Sequence, residues 1–293
     1  MTRSSFLAAL SLVTGVAAVA AQKAPDLSTR ALVAAATTYV VDYETEFKFL
    51  IAEEAYTQAT FDASGRETRV RRMTGELFLT FIPADAAWIA VHDVAEVDGT
   101  PVTDREDLRL LLQKGEFVSV ARRVADRNAK FNIGTIGRNF NEPTLPLLIL
   151  EPKRVKSFSF DRRQIVRDAD GTKVTVAFTE RDRPTLIRSA RGTPLFAKGE
   201  LTIDAETGRI ERTQIELVDA GILARLTTVY APDEKLAMWV PVSFTERYER
   251  TRGHEREVIM CEARYTNYRR FYVIGRIKRR GSIVLRRPGV LKS

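Results

Sequence analysis

At 293 residues, with 44% hydrophobic and 29% charged side chains, the chain can bury a sizeable core, which excludes an intrinsically disordered protein. Its formal charge of +8 is concentrated at one end. Seven cations and no acid lie between Gly275 and Ser293, so the body is close to neutral and a basic nucleic-acid-binding surface is excluded.

The chain opens on Met1-Thr2-Arg3 and an apolar run from Phe6 to Ala20 that ends in Ala18-Val19-Ala20, the small residues a signal peptidase needs. Residues 1–21 therefore read as a secretory signal, and the run is shorter than the roughly 20 residues of a spanning helix. No cysteine follows it, which leaves no site for lipid at a mature N-terminal cysteine. The expected location is periplasmic or secreted. Beyond it, residues 22–274 read as a single β-rich domain and 275–293 as a basic tail.

Asp26 to Ser28 has the look of a helix start, and Leu32, Ala35, Ala36, Tyr39, Val40, Tyr43 and Phe47 recur at helical spacing, which predicts a helix over 28–47. A strand is expected over 49–61. A second holds Leu77, Leu79 and Phe81, and a third runs from Trp88 to Val97 up to the Asp98-Gly99 turn. Two helices follow, over 104–113 and 117–131. In the second, Val120, Val124 and Phe131 form the apolar stripe, and Arg122, Arg123, Asp126 and Arg127 face solvent. Residues 132–141 read as a polar loop, and Pro143 to Leu150 as a short buried helix with proline in its first turn.

From Val155 onward nearly everything alternates with period two. Val174, Val176 and Phe178 make one such row. Turns at Thr207-Gly208, Asp219-Ala220-Gly221 and Ala231-Pro232-Asp233 separate the strands between Gly199 and Tyr248. Residues 184–194 read as a polar linker, and Phe271 to Ile274 as the last strand of the sheet. The fold class is α+β and mostly antiparallel β: about ten strands in a curved sheet or open half-barrel, with helices covering one face.

Chemical motifs are absent. There is no nucleophile elbow, phosphate loop or dinucleotide fingerprint, and His92 and His254 lack metal-ligand spacing. Asp168-Ala-Asp-Gly171 lacks the further acids of a calcium loop. The carboxylate pairs Glu44/Glu46 and Glu53/Glu54 are expected to be solvated surface charge. Cys261, between Ile259 and Ala263 on one strand face, reads as a small core residue.

Two resemblances add to this. Asp93 to Leu108 is similar to the strand–turn–helix that closes a PDZ domain, but the peptide-binding loop of that family is missing upstream, and a hairpin with a following helix is sufficient. Gly199-Glu-Leu-Thr-Ile-Asp204, Thr207-Gly208-Arg-Ile210 and Val229-Tyr230, in a chain of one helix followed by a long meander, resemble the lipoprotein-carrier fold of LolA and LolB. Met238 to Val242, Glu246-Arg-Tyr248 and Tyr265 to Phe271 resemble a set of secreted bacterial proteins that bring no known activity.

The carrier resemblance implies a hydrophobic cavity between sheet and helices, able to hold a lipid or acyl chain without catalysis or cofactor. Trp88, Leu148, Phe178, Leu226, Trp239, Val240 and Phe244 are the candidate wall residues, with Trp88 and Trp239 fitting either face. The alternative is an envelope interaction protein with a fully packed core, docking through an edge strand or the tail. In the tail, Arg276, Lys278, Arg279, Arg280, Arg286 and Arg287 are candidates for contact with an anionic membrane or a partner, and an exposed terminus accounts for the same pattern.

Overall fold

The computed structural model describes residues 25–84, 86–105, 108, 117–138, 142–189, 191–253 and 255–271, and the backbone of 275–278 and 282–285. Helix α1 (Thr29–Glu46) begins where the sequence places it. Ser28 is its N-cap, its hydroxyl accepting from the Ala31 N–H at 3.3 Å, and Asp26 Oδ1 accepts from the Ser28 N–H at 2.8 Å. Leu32, Ala36, Val40 and Tyr43 are buried, a stripe at helical spacing made slim by its alanines.

The strands β1 (Leu50–Phe61), β2 (Glu67–Ile82), β3 (Ala87–Val97) and the two-residue β4 (Thr100–Pro101) form one end of a sheet. Helix α2 (Phe117–Asn128) and three short 3-10 turns (Ala129–Phe131, Leu145–Leu150 and Val155–Ser157) follow. The rest is a meander: β5 (Phe158–Asp168), β6 (Gly171–Glu180), the small β7 (Ile187–Arg188) and β8 (Pro194–Leu195), β9 (Lys198–Asp204), β10 (Ile210–Asp219), β11 (Ile222–Asp233), β12 (Met238–Arg252) and β13 (Glu255–Arg270).

Eleven of these make one antiparallel sheet in the order β4-β3-β2-β1-β13-β12-β11-β10-β9-β6-β5, which is not closed into a barrel. The long return from β13 to β1 joins the two halves: Tyr56 pairs with Ala263 and Phe61 with Val258. A bulge on β13, with Asn267 at φ 52°, restores the inward phase so that Tyr265 and Tyr268 are both buried.

The inner face is the core. Alternate residues such as Leu50, Leu77, Val176, Leu201, Ile215, Leu226 and Phe244 are buried on it, and α1 lies across them. Trp88 is the anchor at one end, with ring centres of Phe47 and Phe81 at 5.0 Å and Tyr43 at 6.0 Å. At the other end, α1 meets the β9–β10 turn so closely that a Cβ on Gly208 would lie 2.4 Å from the Ala35 carbonyl oxygen. The Leu145–Leu150 turn fills the space beside α1. It is tied to β11 through the Pro143 carbonyl, which accepts from Thr228 Oγ1 at 2.6 Å and from Tyr230 OH at 3.1 Å.

Several details differ from the sequence reading. The linker over 184–194 contains the paired β7 and β8. The expected solvated acids Glu44 and Glu54 are 8% and 7% exposed. Arg127 does not face solvent freely but reaches Asp93 at 3.4 Å. The helix expected over 104–113 falls mostly outside the described residues, as do His254 and 272–274. Among the described residues no helix is long and apolar enough to cross a membrane.

Gly208 and Gly221 both have positive φ, +74° and +80°, but nothing approaches a Cβ on Gly221 within 4 Å. Gly221→Ala should cost about 1 kcal/mol from backbone strain alone, and Gly208→Ala about 3 kcal/mol because α1 must also shift. Urea unfolding of the two variants checks this; equal losses would show that the turn does not hold α1.

Candidate functional site

The inner face is not covered evenly. Past the Trp88 group, along the rest of β1–β3, the cover passes to α2 and to the loop that follows it. Helix α2 runs along the free edge of β3, whose only further strand partner among the described residues is the short β4 at Glu96 and Val97. Asn128 Nδ2 donates to the His92 carbonyl at 2.6 Å, and Arg105 and Arg127 both reach Asp93 on the outer face, at 2.6 and 3.4 Å. Val120 and Val124 pack round that edge against Ile51, Phe78 and Val91 on the outer face.

Val118 and Ala125, both exposed, and Ala121, which also packs against that outer cluster, border the inner side without filling it. They wall a pocket of about 390 Å³ with Met73, Ala90 and Val94 of the sheet. Short side chains at Ala121 and Ala125, four residues apart on one helix face, are what leave the space. A wider depression of about 820 Å³ lies on the other side of β1–β3, lined by Glu53, Glu76, Asp93 and Arg105.

The floor of the inner pocket is polar. His92 Nδ1 lies 2.9 and 2.8 Å from the two carboxylate oxygens of Glu54, so with Glu54 ionised Nδ1 carries the proton and donates. This joins β1 and β3 through one pair in which Glu54 is buried and His92 half-buried. The loop after α2 is pinned by a second group. Arg138 donates to the Ile133 carbonyl at 2.9 Å, to Asn132 Oδ1 at 3.0 Å and to Gln58 Oε1, and Gln58 Oε1 also accepts from the Ile133 N–H at 3.0 Å.

Behind them, Glu246 is 1% exposed and accepts from Tyr56 OH at 2.7 Å and from Tyr248 OH. Burial pushes its pKa up and the two hydroxyls pull it back. Cys261, beside this group, is buried as expected, and burial pushes its thiol up to about 12.

Glu142 completes the floor. It is half-buried at the border of the pocket, and desolvation raises its pKa to about 7, with His92 pulling the other way. A separate acid, Glu44 on α1, is likewise raised to about 7, by burial first and by the neighbouring Glu151 second; its Oε1 has no hydrogen-bond partner.

The candidate wall residues lie elsewhere. Trp88, Leu148, Phe178, Leu226, Val240 and Phe244 are buried in the core under α1, and Trp239 is half-buried with the Arg209 guanidinium 4.1 Å from its ring centre. None of the seven borders the inner pocket. Of the tail, Arg276 and Lys278 fall on a short strand, Gly275–Lys278, that pairs with Ser282–Leu285. Arg279, Arg280, Arg286 and Arg287 lie outside the described residues.

The pocket residues were missed because they come from four separate stretches of chain. The one local signal was the Ala121/Ala125 spacing, which reads equally as tight helix packing. Among the described residues no group of three or more His, Cys, Asp or Glu could hold a metal ion.

No protein-family model matches the chain, and no curated protein does. Among solved structures it is similar to a domain from Vibrio parahaemolyticus assigned to outer membrane lipoprotein sorting. The identity is 12% and the TM-score 0.35, over 80% of this chain and 90% of that one. A DUF1329 family protein from Desulfovibrio piger aligns at 10% identity and TM-score 0.33, over 80% of this chain and 92% of that one. The complex of MucA and MucB from Pseudomonas aeruginosa contains a chain that aligns at 11% identity and TM-score 0.20, over 80% and 98%.

Two outcomes follow from the buried acids. His92→Leu should cost about 3–5 kcal/mol by leaving Glu54 buried without its partner, and adding Glu54→Leu should recover most of that loss. Equilibrium unfolding across this double-mutant cycle checks it. For Glu44 the folded state holds a proton, between the ordinary carboxylate range and about pH 7, that the unfolded chain has lost. Its contribution to stability therefore falls as pH rises through that window. Glu44→Gln should match the parent at pH 4 and exceed it by about 2 kcal/mol at pH 8, measured as the shift in denaturant midpoint.

Proposed function

We propose that this protein is an extracytoplasmic, non-enzymatic binding protein that holds an apolar ligand, a lipid or acyl chain, between the curved sheet and α2. The observation that carries the reading is the pocket itself, about 390 Å³ with an apolar wall from Val118, Ala121, Ala125, Met73 and Val94. That volume falls in the range of small-molecule sites, and a few convergent polar groups at one end are what such sites use to fix orientation. A protein acting only through its outer surface has no need of this space, since one larger side chain at Ala121 or Ala125 would close it. The extracytoplasmic part of the reading rests on the Met1–Ala21 pattern.

Binding here needs no chemistry. Glu54 and His92 hold each other, Glu246 is held under two tyrosine hydroxyls, and each acid has a structural task in joining β1 to β3 or β12.

Native mass spectrometry of protein from a bacterial host, followed by solvent extraction, tests the reading. A co-purifying lipid or fatty acid, or uptake of an added fluorescent fatty acid at one per chain, is the expected result. Ala121→Trp should abolish uptake without lowering the unfolding midpoint. A clean apo mass together with no uptake would overturn it.

A further inference from the structure

We propose that the ligand is a single-chain amphiphile, one unbranched acyl chain lying between α2 and the sheet, and that the paired chains of a phospholipid are excluded. The assignment rests on the pocket reading above and follows from the shape of the space. The bordering residues extend from Val118 to Asn128 on α2 and from Ile89 to Val94 on β3. The helical rise puts about 15 Å between the first two, and the strand rise about 17 Å between the second two. Helix and strand therefore wall a groove of one length.

Spread over about 16 Å, a volume of about 390 Å³ leaves a mean cross-section of roughly 25 Å². An extended alkyl chain packed at the carbon–carbon contact distance of about 4.0–4.5 Å takes roughly 16–20 Å². One chain fits that section. Two side by side would need roughly 32–40 Å² and do not. An extended chain advances about 1.2 Å per bond, as a residue spreads three bonds over about 3.6 Å, so the groove takes up about thirteen bonds.

The width is fixed on both sides. Met73 and Val94 are buried on strands that pair with each other, and a packed interior does not yield the volume of a second chain. Helix α2 cannot draw back without losing the bond from Asn128 to the His92 carbonyl and the packing of Val120 and Val124 on the outer face. Charge does not choose the head group. Glu54, Asp126 and Glu142 border the groove together with His92, Arg122 and Arg138, so acids and bases both face it. What the space discriminates is the number of chains and their length.

Titration calorimetry on the mature protein with lauroyl lysophosphatidylcholine and dihexanoylphosphatidylcholine, each below its micelle-forming concentration, tests this. The two lipids share a head group and carry the same number of acyl carbons, in one chain or in two. The lysolipid should bind at one per protein chain. The two-chain lipid should bind about a hundredfold more weakly, because only one of its short chains can enter. Lengthening the lysolipid chain should raise affinity about threefold per methylene up to about thirteen carbons and leave it level beyond. The whole comparison uses the parent protein, so it does not depend on a variant that folds. Equal binding of the two lipids, or affinity that keeps climbing to the palmitoyl lysolipid, overturns the single-chain assignment and leaves the pocket standing. Failure of the lysolipids and of dodecanol to bind removes the pocket reading and this assignment with it.

Discussion

An open antiparallel sheet has one face that must be kept from water, and here that duty falls on α1. The helix can lie close to the strands because its buried stripe mixes Leu32 and Val40 with alanines, and because Gly208 offers no side chain to the Ala35 carbonyl. The other end is held by an aromatic group, Phe47, Tyr43 and Phe81 around Trp88. Everything else on the inner face is arranged by how far this cover extends. The helix reaches from the β9–β10 turn to Trp88 on β3, the 3-10 turn over 145–150 fills the space beside it, and α2 runs along the edge of β3.

The change of cover is also a change of chemistry. Under α1 the sheet offers aliphatic and aromatic residues, the packing expected of a core. Under α2 and its loop, the same inward phase carries Glu54, Gln58, His92 and Glu246. Strand periodicity decides which way a side chain points and is indifferent to what that side chain is. A polar residue in the inward phase must then find partners across strands, and the Glu54–His92 and Glu246–tyrosine groups are how it does so. The partly filled space above them follows from the small residues on α2. Binding capacity thus arises at the seam between two covers rather than at the middle of the sheet.

Much of this architecture is legible in the chain. The capped helix at Ser28, the strands from Gly199 to Tyr248 and the buried turn after Pro143 follow from local signals that the structure repeats, except that Ala231-Pro232-Asp233, expected as a turn, ends β11 and the chain reverses over 234–237. Strand count differs by one, because the split between short strands depends on partners. The site was far less visible. Glu54 read as surface charge since nothing near it in sequence announces His92, 38 positions on, and Glu142 sits beside a proline-rich apolar stretch that draws attention to itself. Large apolar residues such as Phe178 and Phe244 suggested a wall by size. Size is what a packed core selects for, while a cavity is made by the small residues that decline to fill it.

Cys261 shows one more result of this arrangement. It faces inward between Ile259 and Ala263 on β13, and burial keeps its sulfur as a neutral thiol. A chain with a single cysteine cannot close a disulfide on itself, so an exposed thiolate would link two copies together wherever oxidants are present. Enclosure in the sheet interior denies the sulfur both the charge and the access that such exchange requires. The folded state thereby protects its own redox integrity, and Cys261 becomes open to cross-linking only when the sheet around it opens.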